Sequence, residues 1–187
     1  MRKLVFIVLV TITGIDLKAQ KNNIAFHSIN SVSFFMGESE TSWGFQTVNG
    51  IAYKNLFSGI GVGADYYHYN SYPLFFDQRI YFGRNSNLFA YGDLGYNLNN
   101  KKNKPGKEVG YYSSYHFRGG VYTGCGLGYK HLLTGKSFIT LSAGFSYKQA
   151  NNKVRIIEEC LTATCPVDYQ NYQYDNGRVD VRAGIDF

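Results

Sequence analysis

Histidine and cysteine are the side chains of this sequence best suited to catalysis or metal binding, but their spacing favours neither. The histidines are scattered, without the short spacings that build a metal site. His27 and Ser28 are adjacent, and adjacent side chains on a strand point to opposite faces, which prevents a nucleophile–base pair. We therefore expect no catalytic residue, no metal and no cofactor. The four histidines, expected to be hydrogen-bonded or exposed, are His27, His68, His116 and His131.

The amino-terminal segment predicts export. A positively charged start and an apolar stretch from Leu4 to Ile15 precede Ala19, the small residue expected before a cleavage site. Residues 1–19 are therefore interpreted as a signal peptide and residues 20–187 as the exported domain. The apolar stretch is too short to span a bilayer as a helix. Without the signal peptide the net charge falls from +6 to about +4, which is too weak to predict nucleic acid binding.

The composition favours strands over helices. Aromatic residues make up 17% of the chain, charged residues another 17%, and there are 21 glycines. A chain rich in Tyr, Phe and Gly is typical of short strands that face apolar surroundings. A helical span needs about 18 consecutive apolar residues, and the sequence has no such run.

The last ten residues show the strand pattern most clearly. Apolar side chains occupy every second position, and mostly charged residues alternate with them. Because strand side chains alternate between faces, one face is apolar and the other ionic. The apolar series consists of Val179, Val181, Ala183, Ile185 and Phe187.

The same alternation recurs along the chain and predicts eight antiparallel strands. The even-numbered connections are short, and the last two odd-numbered ones, 99–114 and 150–176, are long. Aromatic residues gather at the predicted strand ends, as they do at membrane surfaces. The predicted strands span 24–36, 42–54, 57–69, 73–83, 87–98, 115–131, 137–149 and 177–187.

An export signal, eight alternating strands and a terminal Phe187 resemble the small outer-membrane β-barrels of the OmpA/OmpX type, in the porin family. The resemblance covers residues 20–187 and is one of architecture, without a motif that assigns a subfamily. It implies an all-β, up-and-down transmembrane barrel in the outer membrane of a Gram-negative bacterium. It also implies that the series ending at Phe187 is the signal read by the barrel-insertion machinery, and that outer-membrane lipid and lipopolysaccharide surround the barrel.

The positions that alternate with the outward apolar residues are predicted to face the inside of the barrel. Their charged residues are six basic and five acidic. The interior of an eight-stranded barrel is only wide enough for side chains to fill it, and an unpaired buried ion costs several kcal/mol. The near-balance therefore predicts a closed lumen filled by ion pairs. A narrow path for ions or small solutes is the alternative. The predicted ion-pair network consists of Asp65, Asp77, Arg79, Asp93, Arg118, Lys130, Lys148, Arg178, Asp180, Arg182 and Asp186.

The cysteines bear on the last outer loop. An exported protein meets an oxidising compartment, so Cys160 and Cys165 are predicted to form a disulfide at the tip of a hairpin, with Cys125 left as a free thiol. Pairing outward from that tip brings Lys148 beside Gly177. Odd-numbered residues face outward on both strands, so this register requires a bulge or a one-residue offset, and a bulge is predicted near 149–176.

Two outer segments are candidates for binding a partner. Lysines in one loop could attract lipopolysaccharide phosphates or an acidic partner, and tyrosines on the raised hairpin could offer aromatic contacts and backbone edges to an extracellular protein or surface ligand. The alternatives are a solvated loop and a hairpin that only shields the barrel mouth. The residues concerned are Lys101, Lys102, Lys104, Lys107, Tyr169, Tyr172 and Tyr174.

Three functions are compatible with such a barrel. The first is a non-enzymatic structural or cell-surface binding role, for example in adhesion. The second is a narrow channel, and the third is modification of membrane lipid, because some barrels of this class acylate or deacylate lipid A using His and Ser. The sequence contains no match to the motifs of those enzymes, which favours the first function.

Overall fold

Ten β-strands make up most of the described part of the chain in the computed structural model. The described residues are 24–38, 40–67, 70–83, 86–99, 107–108, 111–135, 137–158 and 167–187, so the predicted signal peptide lies outside them. No helix in these ranges is long and apolar enough to cross a membrane. The strands are β1 (Ile24–Gly37), β2 (Thr41–Tyr53), β3 (Leu56–Asp65), β4 (Ser71–Phe82), β5 (Leu88–Asn99), β6 (Lys107–Glu108), β7 (Tyr111–Arg118), β8 (Gly120–Thr134), β9 (Ser137–Glu158) and β10 (Val167–Asp186).

Eight of these strands close into an antiparallel ring. The order is β1-β2-β3-β4-β5-β8-β9-β10, and β10 pairs with β1 to complete it. Ser28 and Phe187 exchange two backbone hydrogen bonds, of 2.8 and 3.1 Å, at one end of this seam. The all-β, eight-stranded barrel predicted from the alternation is therefore confirmed. Two stacked sheets, the arrangement that would have contradicted it, are not formed.

The two ends of the barrel differ. At the short-turn end, β2 joins β3 and β8 joins β9 through tight turns in which Lys54 and Gly135 adopt positive φ angles of 53° and 61°. At the opposite, raised end, β9 and β10 continue as a hairpin well beyond the ring, and β7 pairs with β9 there. The predicted strand 137–149 therefore ends too early, and the predicted strand 177–187 begins too late. Alternation is weak where both faces of a sheet are solvated, although the backbone pairing continues.

Side chains alternate between a packed interior and an exposed wall, as the period of a strand requires. On β4, Phe75 is 2% exposed whereas its neighbour Phe76 is 50% exposed. The exposed wall carries large apolar side chains on all eight ring strands. The interior holds charged residues together with aromatic rings. This arrangement inverts that of a soluble protein, which buries its apolar side chains and exposes its charges.

The register of the last hairpin corrects one prediction. Lys148 pairs with Asn176, one residue before the predicted Gly177, and the pairing from Phe138–Asp186 to Ile157–Val167 is uninterrupted. The bulge predicted near 149–176 is absent, because a shift of one residue already places odd-numbered residues opposite one another. An irregularity does occur elsewhere, between Leu132 and Thr134 at the turn from β8 to β9.

The predicted strand 115–131 is two strands in the structure. β7 ends at Arg118 and β8 begins at Gly120. Gly119 lies between them, and a Cβ atom there would come within 2.0 Å of the Asn97 carbonyl oxygen, so only glycine fits this close approach. The alternation of inward and outward side chains on β8 therefore cannot be continued through Gly119 to the residues before it.

Candidate functional site in the barrel lumen

The first ion cluster joins three strands near the raised end. Arg178 on β10 donates two hydrogen bonds to the Asp65 carboxylate on β3, one from Nη1 to Oδ1 at 3.0 Å and one from Nη2 to Oδ2. Lys148 on β9 reaches the same carboxylate, with Nζ 3.2 Å from Oδ1. All three side chains are at most 2% exposed. One carboxylate thus balances part of the charge of two cations, in the bidentate geometry that guanidinium groups favour.

Neutral groups accept hydrogen bonds from further donors of this cluster. Lys148 Nζ also donates to the Tyr67 carbonyl oxygen at 2.6 Å and to Ser71 Oγ at 3.2 Å, and Arg178 Nε donates to Ser146 Oγ at 3.0 Å. The guanidinium of Arg178 lies 3.8 Å from the centroid of the Phe35 ring. A buried cation is tolerated when its donors are used and a ring face covers it.

The second cluster centres on Arg182. Its Nη1 lies 2.8 Å from Asp93 Oδ2 on β5, and its Nη2 lies 2.6 Å from Asp180 Oδ2 on its own strand. Nε donates to Asp180 at 2.7 Å, whereas the two terminal nitrogens lie outside hydrogen-bond angles and contact the carboxylates as ion pairs. The Tyr91 ring covers the guanidinium at 4.4 Å. Arg182 is therefore a buried cation held between two carboxylates.

The third cluster is an ion pair on one strand. Arg79 donates to Asp77 from Nε at 2.9 Å and from Nη2 at 2.8 Å, and both residues belong to β4. The guanidinium lies between two rings, 5.8 Å from Phe57 and 5.3 Å from Phe89. Asp77 is directly paired in register with Asp93 of the second cluster. The ionic groups thus continue from one cluster to the next along the lumen.

Two further charged groups lie at the short-turn end. His27 Nδ1 is 2.7 Å from Asp186 Oδ1, which links β1 to the last residue of β10. Lys130 is half-buried, and its Nζ lies 4.4 Å from the centroid of Tyr81 and 4.2 Å from that of Phe138. His27 was expected only to be satisfied or exposed, so its pairing with Asp186 is a contact that the sequence did not specify.

Aromatic and aliphatic side chains fill the rest of the lumen. Phe75 on β4 and Tyr122 on β8, two strands apart in the ring, have centroids 5.3 Å apart. The sequence analysis identified the inward-facing charges but not these rings, although the same alternation predicts that the rings also face inward. The buried apolar cluster comprises Ile29, Val48, Phe57, Phe75, Tyr81, Phe89, Tyr91 and Tyr122.

The structure places most of the predicted ion-pair residues in the lumen. Arg118 is different: its side chain is exposed at the raised end, because the break at Gly119 removes it from the parity of β8. Its assignment to the lumen was wrong. Those that are buried, at no more than 4% exposure, are Asp65, Asp77, Arg79, Asp93, Lys148, Arg178, Asp180, Arg182 and Asp186.

The other predicted residues either face outward or lie outside the described residues. Cys125 is exposed on the outer wall with a free thiol. Tyr172 is exposed on the raised hairpin, Tyr174 beside it is half-buried, and the side chain of Tyr169 lies outside the described residues. Lys101, Lys102, Lys104, the side chain of Lys107, and the pair Cys160 and Cys165 also lie outside them. The apolar series faces outward: Val179, Val181, Ala183, Ile185 and Phe187.

The chemistry available in the lumen is ion pairing. Within the described ranges, no group of three or more His, Cys, Asp or Glu residues is placed to hold a metal ion. Of the buried serines, Ser71 accepts a hydrogen bond from Lys148 and Ser146 accepts one from Arg178, and His27 is engaged by Asp186. These contacts join side chains from several strands across the interior.

Comparison with known proteins supports the fold. No protein-family model matches the chain, and no curated protein matches it by sequence. Among solved structures, the solid-state NMR structure of outer membrane protein AlkL in DMPC lipid bilayers is similar, with a TM-score of 0.51 and 10% identity over 91% of this chain and 92% of that one. The translocator domain of autotransporter NalP from Neisseria meningitidis matches with 12% identity over 100% of this chain and 95% of that one, at a TM-score of 0.28 that carries no argument. The chain therefore shares the barrel fold of AlkL.

Proposed function

We propose that this chain is a non-enzymatic outer-membrane barrel of the small OmpA/OmpX type, with a closed lumen and a role in structure or in binding at the cell surface. The observation that carries the membrane location is the inverted wall. Phe26, Ile60 and Leu94 are 65%, 64% and 67% exposed, whereas Asp77 and Arg178 are at most 1% exposed. An apolar surface that surrounds the whole molecule would aggregate in water, but it matches a bilayer.

A closed lumen follows from where the ion pairs lie. Asp65 on β3 and Lys148 on β9 are four strands apart in the eight-stranded ring, so their contact spans the barrel. Arg182 and Asp93 span it a second time from β10 to β5. Opening a path would separate buried ions, which costs several kcal/mol for each uncompensated charge. The channel is therefore the less favoured function.

The raised end supports surface binding. Between Val167 and Gly177, β10 pairs with β9 on one edge, and no described strand pairs with its other edge. An unpaired strand edge offers backbone donors and acceptors to an added strand, while Tyr172 beside it is exposed for aromatic contact. An extracellular protein that adds a strand to β10 is the partner that this edge fits.

The proposal is tested with the purified full chain. A folded barrel is expected to migrate faster on a gel before boiling than after it, and to co-fractionate with outer membranes. In planar bilayers it is expected to give no stable conductance steps; reproducible steps would favour the channel. Mass spectrometry of lipid A with and without the gene is expected to show no change, and a changed acylation pattern would favour the enzyme.

A further inference from the structure

Four polar side chains form a patch on the outer wall of β1 and β2. Asn30 is paired in register with Thr47, and Ser28 is paired with Asn49, so the four lie together on one face. We name this set, Ser28, Asn30, Thr47 and Asn49, the polar patch. It is an exception on a wall that otherwise carries mainly apolar side chains.

The polar patch faces outward. The residues between its members, Ile29 on β1 and Val48 on β2, are 1% and 0% exposed and point into the lumen. Strand alternation therefore directs the patch to the outside, where Asn30 and Asn49 are exposed.

The polar patch lies midway between the two ends of the barrel wall. On β2, Asn49 lies four residues from Tyr53 and six from Trp43, two aromatic residues that are exposed on the same face near the two ends of the strand. Aromatic side chains of this kind lie at the two surfaces of a bilayer. If the barrel crosses a membrane as proposed above, the amides of the patch are in the hydrocarbon core.

The amides have little hydrogen bonding within the molecule. Asn30 Nδ2 reaches Ser28 Oγ only at 3.5 Å, and among the described residues no side-chain hydrogen bond joins Asn49 to another group. Elsewhere on the wall, Ser58 donates to Gln78 at 2.7 Å, so those two polar side chains satisfy one another. Lipid tails offer neither donors nor acceptors. The polar patch therefore requires a partner within the membrane.

We propose that the partner is a second copy of this chain, bound through the polar patch as a two-fold symmetric dimer. A carboxamide has both donors and acceptors, so it is complementary to itself. A two-fold axis along the membrane normal keeps every residue at its own depth and brings each patch against the same patch of the partner copy. This inference rests on the proposed membrane location.

The shape of the wall allows close approach. A shallow groove of about 690 Å³ includes Asn30 and Thr47, and small residues such as Ala64, Ala183 and Gly184 line it. In membranes, small residues at an interface let two backbones come together and let polar side chains hydrogen-bond across it. The groove thus gives the side chains of the second copy room beside the amides.

Disulfide crosslinking in phospholipid vesicles tests the dimer. The test variant carries Ser28→Cys, which keeps both amides of the polar patch, with Cys125→Ser, Cys160→Ser and Cys165→Ser. The control carries only Cys160→Ser and Cys165→Ser, and so keeps Cys125, which is exposed on β8 on the opposite wall. The depths match, because Ser28 is paired in register with Asn49, which lies four residues from Tyr53 just as Cys125 lies four residues from Tyr129, and both tyrosines are near the short-turn end.

With a lipophilic copper–phenanthroline oxidant at low protein-to-lipid ratio, the test variant is expected to form a crosslinked dimer and the control is not. Equal crosslinking of both would indicate random collision, and no crosslinking of either would indicate a monomer; both results would overturn the dimer. Gel mobility before and after boiling is measured on the same samples. A heat-modifiable barrel without a crosslink overturns the dimer alone, whereas a chain that never inserts overturns the membrane location as well.

A second variant separates a dimer from a bound amphiphile. Asn30→Leu with Asn49→Leu is expected to convert dimers to monomers in native mass spectrometry, with the heat-modifiable barrel retained. Thr123→Leu, which replaces an outward polar residue on the opposite wall, is the control and is expected to leave the dimer unchanged. A wild-type monomer carrying a small amphiphile that the double variant loses would overturn the dimer in favour of a ligand.

Discussion

Lys148 and Asp65 contact each other across the width of the barrel, with 3.2 Å between Nζ and Oδ1. They belong to strands on opposite sides of the ring and are 83 residues apart in the chain. Because Asp65 also binds Arg178, one carboxylate ties together three parts of the wall. Asp65 is therefore the carboxylate that these two buried cations share.

Replacing Asp65 with Ala is expected to destabilise the barrel by about 3–5 kcal/mol, because it leaves Lys148 and Arg178 buried without their shared counter-ion. The measurement is urea unfolding in phospholipid vesicles, followed by tryptophan fluorescence. Asp175→Ala is the control, since Asp175 is exposed on the raised hairpin and its loss is expected to leave the unfolding midpoint nearly unchanged. Equal stability of the two variants would show that the cluster does not contribute.

Gly128→Ala is expected to destabilise the barrel by about 1–3 kcal/mol through overpacking of the lumen. A Cβ atom at Gly128 would lie 2.3 Å from the Phe89 ring, which is itself packed against the Arg79 guanidinium. The matched control is Gly92→Ala on the neighbouring strand, where a Cβ atom has no heavy atom within 4 Å. Unfolding of both variants under the same conditions is the comparison, and a neutral Gly128→Ala would mean that the ring moves freely.

Phe187→Ser is expected to lower the amount of assembled barrel in cells while leaving refolding of purified protein in vesicles nearly unchanged. The Phe187 side chain is 57% exposed and packs little, whereas its backbone bonds to Ser28 survive the substitution. Tyr53→Ser, at the same end of the barrel and 47% exposed, controls for loss of an aromatic residue from the wall. Gel mobility without boiling measures assembly. Equal loss in both variants would argue against an insertion signal at Phe187.

The raised part of β10 is expected to exchange its amide hydrogens much faster than the part within the ring. Residues 167–176 are paired on one edge only, by β9, whereas residues 178–186 are paired on both edges. Amides at an unpaired edge exchange through local opening instead of global unfolding. Hydrogen–deuterium exchange of the protein in vesicles measures this, and uniform protection along β10 would show that another segment covers the edge.

Much of the fold was predictable because a strand alternates with a period of two, which is a local property. On β4, the alternation of Phe76 and Ile80 with Asp77 and Arg79 was enough to assign outward and inward faces correctly. The assignment failed for Arg118, because the strand is interrupted at Gly119 and the alternation of inward and outward side chains does not continue across the break. The raised hairpin was underestimated for a different reason: residues 170–173 are all exposed, so the sequence carries no apolar–polar alternation there.

Partners were beyond what the alternation could specify. That Asp65 would be inward and charged followed from its position in the strand, but its contact with both Lys148 and Arg178 did not. Nor did the packing of Phe35 on the Arg178 guanidinium. Such pairs depend on how the ring closes and how far its strands are staggered, which are properties of all eight strands together. A sequence pattern with a period of two predicts which face of the sheet each residue is on. The closure of the ring and the stagger of its strands determine which side chains that residue contacts.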